Sequence, residues 1–408
     1  MAIDVELVII GEELLSGSVQ DVNTSFLAQF LKSTGINVLQ VSIAPDEPER
    51  LREILTSTLE RSNLVVTCGG LGPTEDDHTR VVASCIFNRK LKRDERLLKV
   101  IKRRYERLGR KLSAMGETQA DIPEGAELLL NPVGAAPGLV LADEARTLVC
   151  LPGVPREVRA IAEKPLADWL REHYPQSPGK KSIFLRTVSL AETEVAKLIQ
   201  PVLERHPKTK VSYLPQVGAV DLVCEPGSED LLIELRQVLG NAIFTEDHRT
   251  ISQVVGELLR TRGETLAIAE SVAGGLLTSR VVDVPGSSDY LMGGIVAYSN
   301  EAKKEFLGVP SNILTKHGAV SEQVALAMAE GVCARFKATY GLSNTGIAGP
   351  GGGTAEKPVG LVYIGLACSA GANVVQRYVF PNDRTYVRER TAVTSLNMLR
   401  LHLLGLEK

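Results

Sequence analysis

Two stretches of this 408-residue chain place reactive side chains where an apolar strand runs out into glycines. In Ala269-Glu270-Ser271-Val272-Ala273-Gly274-Gly275, the run Leu266-Ala267-Ile268 meets a helical pattern over Gly274–Val282. A serine there can set its hydroxyl at a helix N-terminus, whose free N–H groups and positive dipole end stabilise an oxyanion. A hydroxyl is a weak nucleophile until a base removes its proton. His317, in the loop His317-Gly318-Ala319, is the only histidine near this motif in sequence. A desolvated lysine is the alternative base. Tyr298-Ser299-Asn300-Glu301-Ala302-Lys303 supplies one at the end of an apolar strand, with a tyrosine to relay or orient the proton. The plain readings stand beside these: Ser271 as a helix N-cap, and Lys303 as a solvated helix residue next to Lys304.

The second stretch is Gly69-Gly70-Leu71-Gly72-Pro73-Thr74-Glu75-Asp76-Asp77, between a buried strand and a helix pattern. Glycines permit positive φ and close backbone approach, so successive N–H groups can converge on phosphate oxygens. Asp76 and Asp77 are hard oxygen donors suited to a divalent cation on those phosphates. The alternative is a tight turn with Asp77 capping a helix that begins near Thr79. No Gly-Lys-Ser/Thr follows, so this is not a P-loop, and it is not GxGxxG. Gly11–Gly17, with Asp21 and Asn23, brings more polar groups to another strand end, and 131–138 and 151–157 add two further turns. Toward the C-terminus, Asn344–Gly353 is a third glycine-rich loop whose amides and Thr345 hydroxyl can hold an amide, ribose or phosphate. Arg384, just before the last helix pattern, can clamp an anion or simply pair with Asp383 or solvent.

These loops need a scaffold, and the patterning supplies one. Val5–Ile10, Asn37–Ile43 and Leu64–Thr67 read as strands alternating with helices over Asn23–Ser33 and Pro48–Leu59, which argues a parallel sheet covered on both faces. Strands at Glu127–Leu130, Gly138–Leu141 and Thr147–Leu151 and a helix over Pro155–Glu172 complete a first domain, 1–174. Pro175–Lys181 is polar and rich in breakers, a natural boundary. A small α+β module follows over 175–248, KH-like in its order of elements but without a GxxG loop, which argues against RNA binding and for a hinge or dimer-forming spacer. From 249 to 408 the alternation resumes and closes on a helix over Thr385–Leu404. The fold class is α/β throughout, with the smaller α+β insert.

Composition removes several function classes. Lys and Arg number 46 against 49 Asp and Glu, a net charge of −3, so no global field draws the chain to nucleic acid. Six cysteines are spread singly, which excludes zinc ribbons and disulfide scaffolds and fits a reducing cytoplasm. The N-terminus has no signal-peptide pattern, and nowhere do about 18 apolar residues run on, so no membrane span is expected.

The strings GEELLSGSVQDVNTSFLA, GGLGPTEDDHTR, NPVGAAPG and LPGVPREV resemble the first domain of the competence/damage-inducible protein A (CinA) family, itself similar to molybdopterin-binding domains. AESVAGG, YSNEAK, HGAVSE, NTGIAGPGGG and EKPVG resemble that family's C-terminal nicotinamide-nucleotide amidohydrolase domain. The resemblance covers nearly the whole chain in order. It implies deamidation of nicotinamide mononucleotide to nicotinate mononucleotide and ammonia, with Ser271 as nucleophile, Lys303 as base and Tyr298 as its partner, and no metal. Gly274, Gly275, Thr345 and Gly346 would hold the nucleotide, with Arg384 on its phosphate or ribose. For the first domain it implies hydrolysis of ADP-ribose to AMP and ribose 5-phosphate. There Gly69, Gly70, Gly72, Thr74 and Asn23 would bind substrate, and Asp76 and Asp77 a divalent cation (Mg, Mn or Co). A cytoplasmic homodimer acting on small nucleotides is the expected setting. The alternatives are molybdopterin or nucleotide binding without turnover, and an accessory role in competence or recombination through protein contacts. The chain departs from the family at Val272 and Ala273, where Cys and Thr are usual, and at Ala135, where Thr is more frequent.

Overall fold

The computed structural model describes residues 3–174, 182–369, 371, 373–381 and 383–406. The chain forms two compact units, Met1–Gly179 and Lys180–Lys408. The expected boundary segment 175–181 lies outside the described residues.

In the first unit, β1 (Ile3–Ile10), β2 (Ile36–Ala44), β3 (Leu64–Cys68), β6 (Glu127–Leu129), β7 (Gly138–Ala142) and β8 (Thr147–Leu151) form one sheet in the order β2-β1-β3-β8-β7-β6. The first four run parallel, while β7 and β6 are antiparallel. Strands β3 and β8 are buried along their whole length, as a central strand covered on both faces must be. Asn23–Ser33 lays Leu27 and Leu31 on one face, joined by Val158, Ile161 and Leu166. Pro48–Arg61 covers the other face with Leu51, Leu55 and Leu59. The single helix read over Pro155–Glu172 is three consecutive pieces, Pro155–Ile161, a π-turn Ala162–Leu166 and Ala167–His173. Pro165 lies in the π-turn, where the missing N–H breaks the regular ladder. The sequence reading also passed over helix Glu95–Arg107 and the ribbon of β4 (Leu91–Arg93) with β5 (Asp121–Pro123).

The second unit holds two sheets. Strands β9 (Ile183–Val188), β10 (Lys210–Gln216), β11 (Ala219–Glu225) and β12 (Ile243–Thr245) pair antiparallel, in the order β10-β11-β9-β12. Helices Glu192–Arg205 and Glu229–Leu239 pack on this sheet through Val195, Ile199, Leu231 and Leu235. The other sheet has the order β14-β13-β15-β16-β17, from β13 (Leu266–Glu270), β14 (Leu291–Val296), β15 (Tyr340–Gly346), β16 (Leu361–Cys368) and β17 (Val374–Val379). Alternation along β13 decides its two faces. Leu266 and Ile268 join Val255, Leu259, Leu396 and Leu399, whereas the small Ala267 and Ala269 join Val324, Met328 and Val332 of helix Glu322–Phe336.

The final helix, Arg384–Leu403, serves both sheets of this unit. Asn397 Nδ2 donates to Ser189 Oγ at 3.1 Å, and the buried Arg400 donates to the Asn241 carbonyl at 2.6 Å and to Asn397 Oδ1 at 2.9 Å. The module read as a hinge or spacer is thus bonded directly to this helix. Among the described residues no helix is long and apolar enough to cross a membrane.

Candidate functional site

Parallel pairing of β13 and β14 brings their carboxyl ends side by side, and the Ala297 amide donates to the Glu270 carbonyl at 2.8 Å. Ser271 follows one strand directly. Beyond the other, Ser299 caps helix Asn300–Leu307 by accepting from the Ala302 amide at 3.0 Å, and Lys303 sits in that helix's first turn. Lys303 is only 1% exposed. Its Nζ lies 2.8 Å from the Ala297 carbonyl, 3.2 Å from the Tyr298 carbonyl and 3.1 Å from Ser271 Oγ. Burial alone pulls its pKa down to about 8. A neutral amine has two N–H bonds and one lone pair. With two carbonyls taking the protons, the lone pair is left for the serine hydroxyl. This is the arrangement a general base needs.

The turn after Ser271 is fixed by two buried side chains that the sequence reading did not assign. Glu270 is fully buried; its Oε2 accepts from the amides of Gly275 (2.9 Å) and Leu277 (3.2 Å). Its Oε1 accepts from the amide (2.8 Å) and hydroxyl (2.6 Å) of Thr278. Asn344 Oδ1 accepts from the amides of Ser271 (3.3 Å) and Ala273 (3.1 Å). Among the described residues, its own Nδ2 is buried without a hydrogen-bond partner.

These contacts correct two expectations. Ser271 is not the N-cap of helix Leu276–Val282; Gly275 is, at φ +95°. The helix-end amides expected to hold an oxyanion are occupied by Glu270. Among the described residues, the Val272 and Gly274 amides in the same turn make no hydrogen bond and remain available.

Tyr298 meets Lys303 through its carbonyl, not its phenol. The exposed phenol instead accepts from Arg384 Nη2 at 3.2 Å, while Arg384 Nη1 donates to the Gly349 carbonyl at 3.2 Å. Thr345 is 1% exposed, and its hydroxyl donates to the Ala319 carbonyl at 2.8 Å, so it braces a loop rather than facing a ligand. Gly346 ends β15, paired with Val362. One turn beyond Arg384, Arg388 donates through Nε to the Ala273 carbonyl at 3.1 Å, and a Cβ on the exposed Gly274 would lie 3.7 Å from its Nη2. Arg388 was not singled out from sequence, although its i+4 spacing from Arg384 was the available signal.

In the first unit, Gly69, Gly70, Gly72, Asp76, Asp77, Asp46, Glu13 and Glu157 line one cavity of about 550 Å³ at the strand ends. Gly69 and Gly70 are at φ +123° and +66°, and a Cβ would strike the Ile10 carbonyl at the first and the Thr79 hydroxyl at the second. The buried Arg80 guanidinium holds the loop from below, donating to the Leu71 carbonyl at 2.6 Å. Asp77 does not cap the next helix. Its carboxylate accepts from the amides of Gly72 (2.7 Å) and Thr74 (2.8 Å) and from the Thr74 hydroxyl, closing its own loop. Asn23 Nδ2 is spent on the Gly153 carbonyl at 2.7 Å.

Asp76 remains exposed, its pKa lowered first by the Thr74 hydroxyl. Across the cavity, the pKa of Asp46 is raised, chiefly by burial and further by Glu13, Asp76 and Asp77. Such a gathering of carboxylates suits a hard cation. Among the described residues, though, no three His, Cys, Asp or Glu stand close enough to form a ligand set with the loops as they are.

Residues 248–403 match the family model described as "CinA C-terminal domain", and residues 6–172 the "Probable molybdopterin binding domain". A protein of Clostridium tetani, provisionally named competence-damage inducible, is 37% identical over 409 residues, spanning 98% of this chain and 99% of that one. The chain belongs to the CinA family. A CinA-like protein of Anaeromyxobacter sp. is 37% identical over 412 residues, covering 99% of this chain and 100% of its own. The crystal structure of the competence/damage inducible protein CihA from Agrobacterium tumefaciens is 37% identical, covering 39% of this chain and 99% of its own at a TM-score of 0.36. In CinA terms, the Ser271–Lys303 contact lies in the C-terminal domain and the acidic cavity in the molybdopterin-binding-like domain.

Proposed function

We propose that the C-terminal domain of this CinA-family protein hydrolyses the carboxamide of nicotinamide mononucleotide, releasing ammonia. The observation that carries the reading is the buried Lys303 amine 3.1 Å from Ser271 Oγ. Lys303 takes the hydroxyl proton as Ser271 Oγ bonds to the carboxamide carbon. The Val272 and Gly274 amides hold the oxyanion of the tetrahedral intermediate. Lys303 returns its proton to the departing nitrogen, which leaves as ammonia. Water, deprotonated by the same amine, then cleaves the acyl-serine to the carboxylate and regenerates the hydroxyl. Arg388 and Arg384 offer a cationic wall for the substrate phosphate. The deciding experiment measures ammonia from nicotinamide mononucleotide with wild-type protein and Ser271→Ala. Equal traces from the two overturn the reading.

For the first domain, the corresponding reading is metal-dependent hydrolysis of ADP-ribose to AMP and ribose 5-phosphate. Asp76, the exposed carboxylate of the glycine loop, is the residue that would approach a divalent cation, and the cation would supply charge neutralisation of the pyrophosphate and a more acidic water, although among the described residues no three such donors stand together. The glycines of 69–72 allow the backbone to approach the phosphates closely. A second reading, nucleotide or molybdopterin binding without turnover, is favoured by the engagement of both Asp77 oxygens within its own loop. AMP formation with Mg²⁺, Mn²⁺ or Co²⁺ separates the two.

A further inference from the structure

The cavity of the first unit has on its wall a buried polar group that the chain leaves unsatisfied. Gln119, in the short turn Thr118–Ala120, lines this cavity and is 5% exposed. Its Oε1 is closed to water and, among the described residues, has no hydrogen-bond partner. Its amide nitrogen makes no hydrogen bond among them either. Nothing therefore pins the carboxamide, and a turn about its last side-chain bond presents either end to an occupant. A buried carboxamide oxygen left unused is costly unless something in the cavity donates to it.

The surroundings say what kind of donor fits. Helix Glu95–Arg107 packs against the turn that carries Gln119, and its half-buried Tyr105 lines the same cavity, the one aromatic ring on the wall among the described residues. The charged residues on that wall are all carboxylates; no lysine, arginine or histidine borders it among the described residues. Side-chain acceptors are thus in excess, and an occupant that reaches Gln119 must bring an N–H. An alkylammonium would be drawn to the carboxylates in preference to a neutral carboxamide. An amino group on a flat aromatic ring suits the whole corner: it donates to the carboxamide, carries no charge, and brings a face that can lie against Tyr105.

We propose that Gln119 and Tyr105 form a subsite for a planar heterocycle with an exocyclic amino group, whose N–H donates to Gln119 Oε1 while the ring stacks on Tyr105. Adenine and pterin both carry such a group. The inference rests on the first domain holding a ligand of the kinds proposed for it, and adds which edge of that ligand is read and by which residue. Exchange of the amino group for an oxo group turns the donor into an acceptor facing another acceptor, so the subsite discriminates on that atom.

The test titrates the full chain with two pairs of neutral compounds that differ in an amino-for-oxo exchange, adenosine against inosine and pterin against lumazine, with saturation-transfer NMR reading occupancy. In at least one pair the amino member should bind at least about tenfold more tightly than its oxo partner. Gln119→Leu should bring the two members to within about twofold of each other, whereas Tyr105→Leu should weaken both by a similar factor and keep the preference. A preference in the adenosine pair alone assigns the subsite to adenine, in the pterin pair alone to pterin, and in both to the shared amino edge. Equal binding within each pair, no saturation by either amino compound, or a preference that survives in Gln119→Leu overturns the proposal. AMP formation from ADP-ribose is read separately: its absence removes the pyrophosphatase reading and leaves a measured amino preference standing.

Discussion

Glu270 and Thr278 are joined twice, through the amide at 2.8 Å and the hydroxyl at 2.6 Å, and this double contact fastens helix Leu276–Val282 to the end of β13. The carboxylate therefore caps the helix from the residue next to Ser271, the proposed nucleophile, so stability and the proposed reactivity share one anchor. Glu270→Ala leaves four donors, one buried and three partly buried, without their acceptor. Chemical denaturation should show a loss of about 3–5 kcal/mol, with Glu270→Gln costing about 1–2 kcal/mol. A loss below about 0.5 kcal/mol for the alanine variant would contradict this account.

The amidase rate should follow the free-base fraction of Lys303. With its pKa lowered to about 8, log(kcat/KM) rises with unit slope below that pH and levels off above it. Lys303→Met should abolish turnover. A pH profile that is flat between about 6 and 9 speaks against Lys303 as the base.

Lys303 also ties stability to pH. Below pH 8 it is charged in both folded and unfolded chains, and the folded state bears the cost of the buried charge. Between 8 and 10.5 the folded chain gives up its proton first, so the unfolded chain binds more protons and stability rises with pH. Wild type should thus gain about 3 kcal/mol relative to Lys303→Met across that window. Urea midpoints of both proteins, compared near the two ends of the window, read the difference directly.

Arg388 is bonded to the turn after Ser271, whereas Arg384 is more exposed and shared between Tyr298 and Gly349. Arg388→Gln should raise KM for nicotinamide mononucleotide by about tenfold or more with kcat within about threefold. Arg384→Gln should do less. An equal fall in kcat for the riboside, which lacks the phosphate, would place Arg388 in turn geometry instead of phosphate binding.

The two neighbouring aspartates of the first domain should behave differently. Asp77→Ala removes the acceptor that closes the Gly72–Asp77 loop and should lower the first unit's melting temperature by several degrees, about 1–2 kcal/mol. Asp76→Asn should leave melting unchanged while abolishing any metal-dependent AMP formation. Matching effects from both variants would refute this division of labour.

Much of this was legible in the sequence because strand and helix signals are local. Asn23–Ser33, Thr147–Leu151, Ile183–Val188 and Leu361–Cys368 fall where hydrophobic periodicity puts them. Helix Glu95–Arg107 was passed over although Leu97, Leu98, Ile101 and Tyr105 form a clear apolar stripe, because the helix is so highly charged that a search for apolar runs skips it. At the candidate site, residue types were visible but hydrogen-bond allegiance was not. Nothing in a one-dimensional pattern says that Glu270 takes the helix-end amides, that Thr345 turns to Ala319, or that Asp77 folds onto Gly72. The partners of Glu270 and Asp77 lie a few residues away and that of Thr345 in a loop 26 residues earlier, and the choice is made by the turn geometry. Asn344 and Arg388 were missed for the same reason, since their work depends on strand and helix ends that meet only in three dimensions.

The last helix also sets a condition on anyone wishing to shorten this protein. A fragment beginning at Thr250 would keep the serine, the lysine and both arginines at the head of that helix, yet sever Arg400 from the Asn241 carbonyl and Asn397 from Ser189. Its newly bared flank would carry a stranded guanidinium amid aliphatic neighbours. A workable miniature of the C-terminal domain therefore calls for polar redesign of that flank at the same time as the cut.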